Sequence, residues 1–107
     1  MIIKRLGNII RSLFRPAHQS VLQELKNMDS SITGGDGLSM ETAIVLATAN
    51  SDVVGQEYAI YRAIYGISPA GQRLLYDAGR HYDMLVNGDK ELYFDITAYW
   101  EHTYGKE

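Results

Sequence analysis

Three side chains near the end of the chain, His81, Asp83 and Asp95, have the chemistry needed for acid–base catalysis or metal binding. Two carboxyl groups held close together can raise one pKa, so that one group acts as an acid and the other as a base. Two aspartates and a histidine can also bind a divalent cation. The alternative, which we favour, is a hydrated strand face on which the aspartates bind turn amides or Arg80.

The pairing of two predicted strands determines whether these three side chains meet. Apolar and polar residues alternate over residues 92–97, which predicts a strand with one buried face. The strand before it would then bury the following residues: Tyr82, Met84 and Val86. In that arrangement His81 or Asp83 lies opposite Asp95 on the polar face. Asp95 would point outward, so we expect its replacement by Asn to change stability little.

The glycine-rich stretch over residues 34–37 does not match a known ligand-binding loop. It lacks the Gly-Lys-Ser/Thr ending of a phosphate-binding loop, and no strand clearly precedes it. The ligand spacing of an EF-hand is missing as well. We therefore interpret this stretch as a connection, and we predict no catalytic residue, no metal and no cofactor.

The first 18 residues differ chemically from the rest of the chain. They contain four basic residues and no acid, whereas residues 19–107 contain six basic and 13 acidic residues. The basic residues are Lys4, Arg5, Arg11 and Arg15. Apolar residues between them recur at helical spacing, which predicts an amphipathic helix that Pro16 ends. Its apolar stripe needs a cover, which could be the body, a second copy, a protein partner or, through residues 2–15, an anionic membrane surface.

Composition limits the class of protein. A chain of 107 residues fits one domain, and its net charge of −3 argues against a nucleic-acid binder. The chain has no cysteine, which excludes disulfides and thiolate chemistry. No apolar run is long enough to cross a bilayer, and the N-terminus does not resemble a secretory signal. We therefore predict a cytoplasmic protein, peripheral to a membrane if the basic helix binds lipid.

The pattern of elements predicts an α+β fold. We expect a basic helical arm over residues 1–33, followed by a body over residues 34–107 that folds by itself. In the body, a small and mainly antiparallel sheet would pack on one long helix. The predicted elements, in order, are a second helix before residue 29, a loop over 29–39, a strand over 43–47, a helix from about 51 to 65 and strands over 72–76, 81–86 and 92–97.

Several segments of the body share a recognisable pattern. They are Gly35–Val45, Glu57-Tyr58, Tyr82-Asp83 and Tyr93–Thr97. Together they resemble a set of small bacterial proteins of unknown function, in which Gly-x-Gly-x-Ser-x-Glu-x-Ala-Ile-Val precedes Glu-Tyr and Tyr-Phe-Asp-Ile. The resemblance covers about residues 35–97 and excludes the arm. It implies a single fold unit and no particular activity.

All eight tyrosines lie between residues 58 and 104. Helical spacing assigns Tyr58, Tyr61 and Tyr65 to the core. The aromatic residues that could contact a partner are Tyr99, Trp100 and Tyr104. We therefore predict a non-enzymatic protein-binding module of the inhibitor or immunity type. The alternatives are a peripheral membrane protein anchored by the arm and a small hydrolase that uses His81, Asp83 and Asp95.

Overall fold

The computed structural model describes residues 17–47 and 52–105, which form three helices and a five-stranded sheet. The elements are α1 (residues 17–28), β1 (Ile32–Gly34), β2 (Ile44–Leu46), α2 (Val53–Tyr65), β3 (Gly71–Asp77), β4 (Arg80–Asn87), β5 (Lys90–Asp95) and α3 (Thr97–Tyr104). This confirms the α+β fold. The helix predicted over residues 2–14, with Lys4, Arg5, Arg11 and Arg15, lies outside the described residues, so its role stays a prediction.

The sheet is mixed, with the strand order β1-β2-β5-β4-β3. β1 pairs antiparallel with β2, and β3, β4 and β5 form an antiparallel meander. β2 and β5 are parallel, because α2 and the first two meander strands lie between them in the sequence. β3 and β1 are therefore the two edges of the sheet.

The hydrophobic core lies between the helices and one face of the sheet. α2 contributes Val53, Ile60 and Tyr61, and α1 contributes Leu22. The sheet residues of this core are Ile32, Ile44, Leu46, Leu85, Leu92 and Phe94. The predicted boundary between residues 33 and 34 thus falls inside β1, and α1 packs in the same core as the strands.

A glycine ends α2, and two tyrosine hydroxyls join the helix to the sheet. Gly66 ends the helix with a φ of 74°, and its N–H bonds the carbonyl of Arg62 at 2.8 Å. The hydroxyl of Tyr61 donates to the carbonyl of Lys90 at 2.6 Å, and the hydroxyl of Tyr65 donates to the next carbonyl at 2.6 Å. Tyr61 is fully buried and Tyr65 is partly buried against the core, as their helical spacing predicts.

The pairing of β4 with β5 differs from the one predicted. Tyr82 lies opposite Asp95, and Asp83 lies opposite Phe94. The hairpin closes with a two-residue turn after Asn87. The predicted pairings, with His81 or Asp83 opposite Asp95, require loops of three or five residues, so the observed pairing is shifted by one residue. Because side chains alternate between faces, a shift of one residue exchanges the two faces of β4. His81, Asp83 and Leu85 therefore face the helices, and the predicted burial of Tyr82 and Val86 on that face is wrong.

Two further elements were not predicted. β1 occurs inside the predicted loop over residues 29–39, and α3 follows directly after β5. β1 has only three residues, two of them exposed, so its sequence carries no strand pattern. α3 is a short helix with a weakly amphipathic pattern, because its aromatic residues do not share one stripe. Within the part of the chain described, no helix is both long and apolar enough to cross a membrane.

We expect the independently folding unit to begin at α1 rather than at residue 34. A chain that lacks residues 1–16 should unfold cooperatively on heating, because all described core residues are retained. Removal of residues 1–30 should weaken or abolish the transition, because Leu22, which is 3% exposed, is lost from the core. Thermal unfolding followed by circular dichroism compares the two truncated chains. A broad, non-cooperative transition of the chain that lacks only residues 1–16 would show that the folding unit does not begin at α1.

Candidate functional site

The structure does not bring His81, Asp83 and Asp95 together on one face. His81 and Asp83 face the helices, whereas Asp95 lies on the opposite face of the sheet. Within residues 17–47 and 52–105, no three His, Asp or Glu side chains are placed to hold a metal ion. The arrangement that the hydrolase hypothesis required is therefore not formed by these three residues.

Asp95 organises the junction between β5 and α3. Its Oδ2 accepts a hydrogen bond from Nε of Arg80 at 2.8 Å and forms an ion pair with Nη2 of the same guanidinium at 2.8 Å. Its Oδ1 accepts from the N–H of Thr97 at 3.0 Å and from the Thr97 hydroxyl at 2.6 Å. The hydroxyl oxygen of Thr97 in turn accepts the N–H of His81 at 3.0 Å. Asp95 thus binds Arg80, as the favoured interpretation predicted, but the amide it binds begins α3 and the side chain is only 6% exposed, so the predicted hydration of this face is wrong at Asp95.

This geometry changes the expected effect of Asp95→Asn. The substitution removes the charge of an almost buried carboxylate that accepts three hydrogen bonds and forms an ion pair, so we expect it to cost about 2 kcal/mol of unfolding free energy. Asp89→Asn is the matched control, because the Asp89 side chain is 96% exposed and should change stability by less than about 0.5 kcal/mol. Urea denaturation measures the unfolding free energy of both variants. Equal losses of stability in the two variants would contradict the buried role of Asp95.

A buried pair of carboxyl groups joins α2 to the sheet. Glu57 is 0% exposed and Asp83 is 1% exposed. Oδ2 of Asp83 accepts a hydrogen bond from the amide of Gln72 at 2.7 Å. No hydrogen-bond donor of the described residues reaches either carboxyl oxygen of Glu57 or Oδ1 of Asp83. Two carboxyl groups can hydrogen-bond to each other only when one of them carries a proton, and Glu57 is placed to share one with Asp83.

Burial, together with the adjacent carboxyl group of Asp83, raises the pKa of Glu57 from 4.5 to about 10. Glu57 is therefore protonated at neutral pH, and its hydroxyl can donate to Asp83. A substrate has no access to either group, because both side chains are almost completely enclosed. The pair fits a structural role that depends on pH better than it fits a catalytic one.

Four aromatic rings form a continuous row from β3 across β4 to α3. The ring of Tyr76 lies 4.7 Å from that of His81, measured between centroids. His81 stacks on Trp100 at 4.4 Å with an interplanar angle of 12°. Trp100 contacts Tyr104 at 4.5 Å. We call these four residues the aromatic row.

The two ends of the aromatic row are exposed and its middle is anchored. Tyr76 is 59% exposed and Tyr104 is 65% exposed, whereas His81 is buried and Trp100 packs against the core. Two of the three predicted contact residues, Trp100 and Tyr104, thus belong to the row. The third, Tyr99, packs against the core. The row continues into the exposed edge strand β3, where Leu74 is 51% exposed.

A separate cavity of about 610 Å³ lies between α1, the end of α2 and the turn between β4 and β5. Its lining residues are His18, Gln19, Asp36, Leu38, Ile64, Tyr65, Asp89 and Lys90. The imidazole Nε2 of His18 lies 2.8 Å from the carbonyl oxygen of Asp36. Burial raises the pKa of Tyr65 to about 12, so this hydroxyl stays a hydrogen-bond donor. The charges on the rim have both signs, so the cavity favours neither an anionic nor a cationic ligand.

Comparison with known proteins gives no relative. No protein-family model, no curated protein and no solved structure matches this chain. The resemblance to small bacterial proteins therefore stays a prediction, and function must be argued from the geometry alone.

The sequence contained partial signals for the features found here. Trp100 and Tyr104 could be named as contact residues from their type, but their stacking on His81 depends on α3, which was not predicted. Glu57 carried a clearer signal, because it lies four residues from both Val53 and Tyr61 on the buried side of α2. A carboxyl group at that position must be buried with the core.

Proposed function

We propose that this protein is a non-enzymatic protein-binding module whose contact surface consists of the aromatic row and the adjacent edge strand β3. The observation that carries the proposal is the row itself, in which two exposed tyrosines flank a stack of the buried His81 imidazole on the partly buried Trp100 indole. Tyrosine and tryptophan dominate the binding energy of many interfaces. Rings already held by packing lose little conformational freedom on binding, which favours affinity.

The edge strand adds a second means of recognition. A strand at the edge of a sheet has N–H and C=O groups that can pair with a further strand. β3 has seven residues and no proline, so no residue within it blocks such pairing. Its exposed Leu74 and Tyr76 supply apolar contact area beside the backbone groups.

The charge of residues 19–107 favours a basic partner. Residues 19–107 contain 13 acidic and six basic residues, so a partner with a positive surface is attracted and a nucleic acid is repelled. An acidic module of this size that covers a basic surface on another protein matches the inhibitor or immunity class.

The test is site-specific photo-cross-linking in the cells that produce the protein. A photoreactive amino acid at position 104 or 76 should cross-link one defined protein, because both side chains project from the proposed surface. The same amino acid at position 28 is the control, since Met28 is 82% exposed and lies outside the aromatic row.

The cross-linked protein is then purified and its affinity measured. Tyr104→Ala and Tyr76→Ala should each weaken binding by about tenfold or more, whereas Met28→Ala should leave it unchanged. Equal cross-linking from positions 28, 76 and 104, or binding that is insensitive to both tyrosine variants, would contradict the proposed surface.

A further inference from the structure

The free edge of β3 presents a defined set of backbone groups. Asp77 and Arg80 close a two-residue turn, in which the carbonyl of the first residue accepts the N–H of the fourth. The backbone groups of Asp77 therefore point toward β4, and those of every second residue before it do the same. The N–H and C=O groups of Leu74 and Tyr76 consequently point away from the sheet.

This geometry restricts how a second copy of β3 could pair with the first. Outward backbone groups must meet outward groups, so Leu74 can pair with Leu74, with Tyr76 or with Gln72 of the other copy, and the pairing with Gln72 is disfavoured because it places the two Arg73 side chains opposite each other. The first pairing places Arg73 opposite an apolar Leu75. The second places Arg73 of each copy opposite Asp77 of the other, so that two such pairs form. The two Leu75 side chains then face each other on the symmetry axis. Oppositely charged cross-strand neighbours stabilise a sheet, so charge favours the second pairing.

We propose that two copies of this chain pair antiparallel through β3 in this second register and form a continuous ten-stranded sheet. Neither Arg73 nor Asp77 makes an ion pair within the part of the chain the structure describes, so both charges are available. Pairing covers Leu74, which is 51% exposed, and brings the two aromatic rows to the same seam. A two-fold axis makes the contact self-complementary and closes the exposed edge.

This inference rests on the proposed function, because the second copy occupies only the edge strand of the proposed contact surface and leaves the aromatic rows to the basic partner. The first experiment exchanges the charges of the proposed pairs in the full chain. Arg73→Asp and Asp77→Arg should each weaken the dimer by about tenfold or more, because each variant places like charges opposite one another. Mixing the two variants restores opposite charges across both pairs and should yield a heterodimer. Sedimentation velocity over a concentration series measures the mass, and circular dichroism confirms folding.

The second experiment tests the register directly and uses the absence of cysteine from the chain. The Leu75 positions of the two copies form a non-hydrogen-bonded pair, with Cα atoms about 4.5 Å apart, which a disulfide can span. Leu75→Cys should therefore form a covalent dimer under mild oxidation. Leu74→Cys is the matched control and should remain monomeric on a denaturing gel, because its counterpart is displaced by two residues.

The outcomes separate this inference from the proposed function. A monomeric chain at all concentrations would overturn the dimer, and a disulfide from Leu74→Cys instead of Leu75→Cys would overturn the proposed register. If the dimer failed but photo-cross-linking from position 104 still captured a partner whose affinity depended on Tyr104, the proposed protein-binding function would be supported without the dimer. A dimer that mixes as described, with no tyrosine-dependent partner, would support the inference and contradict the wider function.

Discussion

Glu57→Gln should stabilise this protein at neutral pH, by on the order of 3 kcal/mol. The raised pKa of Glu57, about 10, means that the folded chain binds a proton that the unfolded chain releases above its ordinary pKa of 4.5. At pH 7 folding must take up that proton from solution, and this uptake costs free energy. Glutamine has the same shape, needs no proton and can donate its amide hydrogen to the carboxylate of Asp83.

The same linkage predicts how the stability of the natural chain depends on pH. Between pH 5 and 8 the folded state holds one proton more than the unfolded state at Glu57, so the unfolding free energy should fall as pH rises. This contribution is fully present below about pH 4.5 and is lost as pH rises toward 10. Glu57→Gln should flatten the profile, whereas Glu24→Gln on the exposed side of α1 should not. Parallel profiles for natural chain and Glu57→Gln would contradict a protonated buried Glu57.

Leu85→Ala should destabilise the protein by about 2–5 kcal/mol. Leu85 is 0% exposed on the helix-covered face of β4, where it lies directly opposite Leu92. The substitution leaves a cavity in the centre of the core, and close packing allows only partial relaxation. Urea denaturation at fixed pH measures the loss.

Val86→Ala is the matched control for the face assignment. Val86 is the next residue of β4, is only half-buried and lies on the face away from the helices. Its truncation should cost about 1 kcal/mol or less. If Val86→Ala were the more damaging of the two substitutions, β4 would have the opposite face toward the helices, as the alternation of apolar residues alone suggested.

Local chemistry made several elements predictable from the sequence. The end of α2 at Gly66 follows from the left-handed conformation that glycine adopts at little cost, and the spacing of its tyrosines identified the buried stripe. The strands β4 and β5 were recognised from alternation and from turn residues. Elements such as β1 and α3 depend on contacts distant in sequence, which a local pattern does not contain.

The register of β4 shows most clearly where sequence reasoning failed. An alternating strand assigns its apolar residues to the core, but β4 places His81 and Asp83 there instead. Both polar residues are tolerated because each meets a specific partner, Trp100 and the Glu57–Gln72 group respectively. Met84 remains 8% exposed on the opposite face, so the hydrophobic pattern does not distinguish the two faces. The decisive partner, Trp100, lies on a helix that the sequence did not predict.

The measurement that tests the central claim most directly is a nuclear Overhauser spectrum of the full chain. The aromatic row exists only if the register of β4 places the His81 ring under Trp100, and the binding proposal depends on that row. We predict cross-peaks between the ring protons of His81 and Trp100, and between those of His81 and Tyr76. Cross-peaks that place the His81 side chain on the face of Asp95, with none to Trp100, would contradict the register and the contact surface built on it.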